Sequence, residues 1–297
     1  VAHQNILIDK GWSKFSTFAL VGLLGLLSQM LWLPSIQAQA LVEQRLCAYD
    51  GQYVVFAVRK LGKKDWDEPP QIDSGIGRIG TRNNLLLAHE HIIFCNGNRI
   101  ERNIGFGNNF DGQRFSEEVS AREYFPFDNQ RYDRDIISNI LGPDSCRKSE
   151  ASTYNLLTNN CQDFADRVRQ EYWRRVLQGE WTGVLTQPDS RFNYTVSLKH
   201  TKDLKFVGTS RIEPIDDSRY FGVMELQGEV NDGVLVIKET RIKNQRPEPG
   251  FHWCLKKGDI QIAVSKIGTS LSGAWSDPGC NAGQVQLQQK QSIWPRR

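Results

Sequence analysis

The chain has 297 residues, of which 39% are hydrophobic and 24% charged, ordinary globular values with room for about two domains. Its 37 basic and 34 acidic residues leave a formal net charge of +3. A charge so small and so interspersed excludes nucleic acid or an anionic membrane surface as a partner recognised through bulk electrostatics.

In chain order, the first segment is an export signal. Lys10 and Lys14 precede the apolar run FALVGLLGLLSQMLWLP, which breaks at Pro34 and is followed by SIQAQA. A basic flank, an apolar middle and a small-residue end over residues 1–40 predict export, with cleavage after Ala38 or Ala40. The alternative is a retained anchor, since the run approaches the roughly 18 residues of a membrane span. Ser28 and Gln29 within it and the Ala-x-Ala ending favour cleavage, and no cysteine is placed for a lipid anchor. The expected location is secreted or periplasmic, with membrane association only through an uncleaved segment. Export permits disulfides; all six cysteines, Cys47, Cys95, Cys146, Cys161, Cys254 and Cys280, follow the signal.

Residues 41–178 mix strand and helix patterns. QYVVFAVRKLG and LLLAHEHIIFCNGNRI are rich in β-branched and apolar residues and end in turn signals, so both predict strands. REYFPFDNQRYDRDIISNILG predicts a loop leading into a short helix that ends at Gly142. From about Asn160 to Leu177 a longer helix is expected. Cys161, Phe164, Ala165, Val168 and Tyr172 share one face of it, with Asp163, Asp166, Arg169 and Arg174 mostly elsewhere. From Gly179 the pattern changes. FNYTVSLKH, LKFVGTSRI, YFGVMELQGEV, GVLVIKETRIK, DIQIAVSKI, SLSGAWS and GQVQLQQ are short alternating runs separated by turn residues. They predict an all-β meander over residues 179–297.

The residues with chemical potential cluster in the first of these units. Asn159 or Asn160 can cap the long helix, which puts Cys161 in its first turn. There, free N–H groups and the helix dipole favour a thiolate, and the same amides, that of Gln162 among them, can hold an oxyanion. The competing roles for Cys161 are a packed core residue or half of a disulfide. A thiolate nucleophile needs a base oriented by a third group. Of the five histidines, His89 and His91 lie on one strand at a spacing that puts both on one face. The returning strand RIERNIGF offers Glu101 and Asn103. Solvent-facing histidines on an edge strand are the alternative. Cys95, beside a turn and away from any helix start, is the rival thiol.

These residues carry a resemblance. YNLLTNNCQDFADRV resembles the asparagine–cysteine box of circularly permuted papain-fold proteins, the lecithin retinol acyltransferase, PPPDE and NlpC-like groups. HEHIIFCNGNRI is similar to their histidine strand. The resemblance covers roughly residues 50–175 and implies Cys161 as nucleophile. It implies either His89 with Glu101 or, one strand repeat later, His91 with Asn103. Glu101 departs from the His, Asn or Asp usual at the third position, and the charged Glu90 departs from the small residues usual within such a strand. The implied activity is attack on a peptide, amide or ester carbonyl through an acyl-enzyme, with no cofactor or metal.

In the second unit, Gly-x-Trp in GEWTGVL and LSGAWS resembles the signature of calycin barrels, the lipocalin and avidin group, implying an up-and-down barrel of about eight strands whose ligand is unknown. Cys254 and Cys280 fall late in this one unit, and a bridge between them would stabilise by about 3 kcal/mol in the chain-entropy model. His252 beside Cys254 raises metal binding, but zinc spacing is not completed by a second cluster, which favours a structural role. Asn193-Tyr194-Thr195 matches a glycosylation acceptor, relevant only to a eukaryotic secretory route.

The expectation is therefore an α+β, permuted papain-like domain followed by an all-β barrel. The expected function is an exported cysteine amidase or peptidase with a barrel accessory domain. The alternatives are a non-catalytic secreted binding protein whose barrel holds a ligand or partner, and an acyltransferase using the same Cys-His site.

Overall fold

The computed structural model describes residues 46–60, 88–107, 113–115, 124–142, 161–265, 268–277 and 279–290. The export segment, Cys146, Asn159 and Asn160 lie outside them. The described chain is mostly β, with two helices and a closed barrel.

The first unit is a five-stranded antiparallel sheet in the order β4-β3-β2-β1-β5. Its strands are β1 (Gln52–Lys60), β2 (Ala88–Asn96), β3 (Arg99–Gly107), β4 (Gln113–Phe115) and β5 (Phe125–Pro126). On β1 and β2 the side chains of both faces are buried, which explains why these runs read as continuous apolar stretches rather than alternating ones. One face carries Val54, Phe56, Ile92 and Phe94. The other carries Tyr53, Val55, Ala57, Ile93 and Cys95, covered by Leu46, Cys47 and Tyr124. β2 and β3 turn through Gly97, whose φ of +58° suits a residue without a Cβ. A register shift between Phe94 and Cys95 interrupts their ladder: Phe94 pairs with Arg102 and Cys95 with Ile100, leaving Glu101 as the extra residue of a bulge.

Helix α1 (Arg134–Leu141) is capped by Asp133, whose side chain accepts from the Ile136 N–H at 2.9 Å, and it stops at Gly142, φ +67°. Helix α2 (Cys161–Leu177) lays its apolar stripe on the Ile92/Phe94 face of the sheet. Its last turn is basic, and Arg174 and Arg175 both pair with Glu171. One residue departs from the amphipathic reading. Arg169, assigned to the polar face, is 2% exposed. A charged group at that depth is tolerated because partners wait for it inside, Glu90 on β2 and Asp166 on its own helix.

Strands β6 (Gly179–Gln187), β7 (Ser190–His200), β8 (Lys205–Pro214), β9 (Phe221–Asn231), β10 (Val234–Arg246), β11 (Lys257–Ser265), β12 (Gly268–Asp277) and β13 (Cys280–Gln289) form a closed antiparallel barrel. Each strand pairs with its sequence neighbours and β13 closes onto β6, the up-and-down arrangement that removes every sheet edge. At that closing seam a Cβ on Gly183 would stand 1.9 Å from the Gln286 carbonyl oxygen, so only glycine fits. Alternate residues point inward and fill the interior. Trp181, Leu185, Tyr194, Phe206, Met224, Leu226, Leu271 and Trp275 are all 2% exposed or less.

Helix α2 runs directly into β6, and the Trp181 indole N–H donates to the Leu177 carbonyl at 2.9 Å. One apolar core therefore passes from the sheet through α2 into the barrel. A second junction is polar: the Gln130 side-chain amide donates to the Asp232 carbonyl at 2.6 Å in the β9–β10 turn.

Two disulfides, Cys47–Cys95 and Cys254–Cys280, are formed, as expected of an oxidising, extracytoplasmic compartment. Among the described residues no helix is long and apolar enough to cross a membrane.

Candidate functional site

The sulfur at the start of α2 has the local surroundings that its address implies. The N–H groups of Cys161 and Gln162 and the backbone of Glu90 all act on the Cys161 thiol to lower its pKa. Burial outweighs them. The thiol is 4% exposed, and desolvation, with the Glu90 carboxylate beside it, pushes its pKa up to about 11. The helix-start address by itself predicts a lowered value, because helix-start fields are legible in a pattern and depth is not. Removing water costs the thiolate more than a few partial charges return.

The strand register settles which face each histidine occupies. His91 pairs with Ala57, and Ile93 with Val55, so His89 and His91 rise from the face that also carries Tyr124. The His89 and His91 ring centroids are 4.6 Å apart, and that of His91 is 5.2 Å from Tyr124. Cys161 packs on the opposite face, with Ile92 and Phe94. The structure thus brings His91 and Asn103 together, Nδ1 to Oδ1 3.2 Å, and buries both, but it does not bring either imidazole to the side of the sheet that holds the sulfur. Glu101, released from the ladder by the bulge, forms a bidentate pair with Arg134 of α1, away from His89. Gln162 is half-buried beside Cys161.

What faces the sulfur instead is a buried charge network that the sequence reading missed. Glu90 is 1% exposed and pairs with Arg169, which also holds Asp166. The guanidinium carbon stands 4.7 Å from the Phe56 ring centre and 4.0 Å from that of Phe127, close enough for cation–π attraction. Burial pushes the Glu90 carboxyl well above its ordinary range against the pull of Arg169. Nearby, Tyr132 donates to Asp128 at 2.6 Å, and burial raises both. The one available signal was the charged residue inside HEH, flanked by apolar strand: such a residue needs a buried partner.

A second polar cluster lies inside the barrel. The Glu239 carboxylate accepts from Tyr194 at 3.0 Å, from Ser210, and from the Lys256 N–H at 3.0 Å. Burial raises Glu239 and lowers Lys256. Three groups of the barrel itself donate to the Glu239 carboxylate, which makes this a structural anchor.

Fold and site together define a mainly antiparallel β protein in which a thiol-bearing helix and sheet are joined to a closed eight-stranded barrel. No family model matches the chain, and no curated protein matches it. Among solved structures, the chain is similar to a de novo designed fluorescence-activating β-barrel, with 8% identity, a TM-score of 0.30, and coverage of 39% of this chain and 96% of the designed one.

Proposed function

We propose that this chain is an exported binding protein whose calycin-like barrel carries recognition, while the first unit is a papain-like scaffold without a working nucleophile. The observation that carries this reading is the register of β2, which sets both strand histidines on the face opposite Cys161. On its own side of the sheet the sulfur has the Glu90 carboxylate for a neighbour, which opposes ionisation. Because the barrel interior is occupied by its own aromatic and aliphatic side chains, recognition falls to its outer surface and mouth, and the partner is a macromolecule rather than a small ligand in the lumen.

The test is the rate of Cys161 alkylation against pH in a Cys146→Ser background. With a pKa of about 11, only about 0.01% of the thiol is ionised at pH 7, against about 3% for an ordinary cysteine, a deficit of about 300-fold from ionisation alone. Labelling slower than that of free cysteine by this margin is the expected result. A labelling midpoint below the ordinary thiol value would overturn the reading.

The second reading is a cysteine amidase or peptidase, or an acyltransferase, working through Cys161. It is favoured by the state of the sulfur, since among the described cysteines Cys161 stands outside the two disulfides that join Cys47 to Cys95 and Cys254 to Cys280. Rapid labelling together with release of an acyl group to water, or to an added amine, would establish it and separate hydrolysis from transfer.

A further inference from the structure

The coil that joins β10 to β11 holds an unassigned set of donors. His252 and Cys254 lie on it and Cys280 opens β13. One ligating atom from each lies within 4.8 Å of the other two. In the oxidised protein the two sulfurs are bonded to one another and are not available as thiolates.

We propose that this cluster is a redox-gated site for a thiophilic metal ion, Zn²⁺, which assembles when the Cys254–Cys280 bond is reduced. A dithiol reductant transfers two electrons to the disulfide: the S–S bond breaks, two thiols form, and the dithiol closes to its own disulfide. Zn²⁺ then displaces the two thiol protons to solvent and is held by two thiolates and the His252 imidazole. The two thiolate charges neutralise the ion, and soft sulfur donors select it over Mg²⁺ or Ca²⁺. The fourth position of the tetrahedron is left to water, on the side where His252 is exposed.

The site is pre-organised by contacts that do not depend on the disulfide. Trp253, between the two coil ligands, is buried, 6.0 Å from the Phe192 ring centre. Its indole ring would touch a Cβ placed on Gly222 at about 3.0 Å, so the coil sits close on β9. Two residues beyond Cys254, the Lys256 N–H donates to the Glu239 carboxylate at 3.0 Å, and the Glu239 N–H donates to the Lys256 carbonyl at 2.8 Å. On the other side, Cys280 pairs with Asp277 across the β12–β13 turn, where the Gly279 N–H donates to the Asp277 carboxylate at 3.2 Å. Both sulfurs therefore stay near one another when the bond between them is opened. Metal–ligand distances of about 2.0–2.3 Å require the two sulfurs, once reduced, to move apart from bonding distance and the His252 imidazole, already within 4.8 Å of both, to close on the ion between them.

Co²⁺, a spectroscopic substitute for Zn²⁺, tests the proposal on the full chain. After reduction with a phosphine and removal of the excess, one equivalent of Co²⁺ should give thiolate-to-cobalt charge transfer and the d–d bands of a four-coordinate ion. The oxidised chain should give neither. His252→Ala should weaken binding by at least about tenfold, and Cys254→Ser/Cys280→Ser should abolish the charge-transfer band. A reduced chain without that band, a band that survives in the double serine variant, or a barrel that loses its near-ultraviolet dichroism on reduction would each overturn the proposal.

Discussion

Arg169→Met separates an electrostatic role for the buried network from simple packing. Methionine fills the volume of the arginine stem but removes the cation, leaving Glu90, 1% exposed, without its partner in the sheet–helix interface. Breaking such a pair from one side costs about 3–5 kcal/mol. The loss has a pH signature whose sign follows from the carboxyl. Burial already raises Glu90 above its unfolded value, and removing Arg169, the largest lowering influence, raises it further. A carboxyl raised on folding takes up a proton, so the variant is least damaged below the unfolded value of about 4.3 and loses stability as pH climbs through the folded value, at up to about 1.4 kcal/mol per pH unit. Urea unfolding followed by tryptophan fluorescence at pH 5 and pH 8 reads the difference, and Glu90→Leu in the same chain should restore most of the stability lost at pH 8. Equal damage at both pH values, with no rescue by the second substitution, would refute the electrostatic account.

Other expected outcomes follow from single contacts. Trp181→Ala removes a fully buried ring and leaves the Leu177 carbonyl without its indole donor; a loss of about 3–5 kcal/mol is expected in denaturant titration. Gly183→Ala places a Cβ against the Gln286 carbonyl at the seam that closes the barrel. It should destabilise by about 1–3 kcal/mol and speed hydrogen exchange selectively in β6 and β13. Cys47→Ser/Cys95→Ser opens a bridge of sequence separation 48 and should cost about 4 kcal/mol in the chain-entropy model, read as a lowered thermal midpoint.

The second half of the chain was the more legible. Its strands alternate because they line a barrel with one face inside and one in water, and each pairs with its neighbour in sequence, so period and turn residues were enough to predict an all-β meander. The Cys254–Cys280 bridge was legible for the same reason, since both cysteines fall late in one unit. In the first half the strands are buried on both faces, and alternation no longer tells which face a residue takes. His89 and His91 could be seen to share a side, yet nothing local said on which side α2 would lie. Glu101 leaves the ladder to pair with Arg134 because a bulge of one residue changes phase, and the ladder alone reveals it. Arg169 read as a polar-face residue because its partner, Glu90, is 79 residues away.

Sequence by itself determined the local architecture of this protein: where strands and helices run, that the last eight strands form a meander, and that Cys161 stands at a helix start. These features follow from side-chain periodicity and turn chemistry, which act over a few residues. Tertiary structure alone decided the surroundings of the thiol, by choosing the face of the sheet that receives α2 and the depth at which the sulfur rests. Those choices depend on packing between segments far apart in the chain, and desolvation there exceeds the helix-start field that made the thiol look reactive.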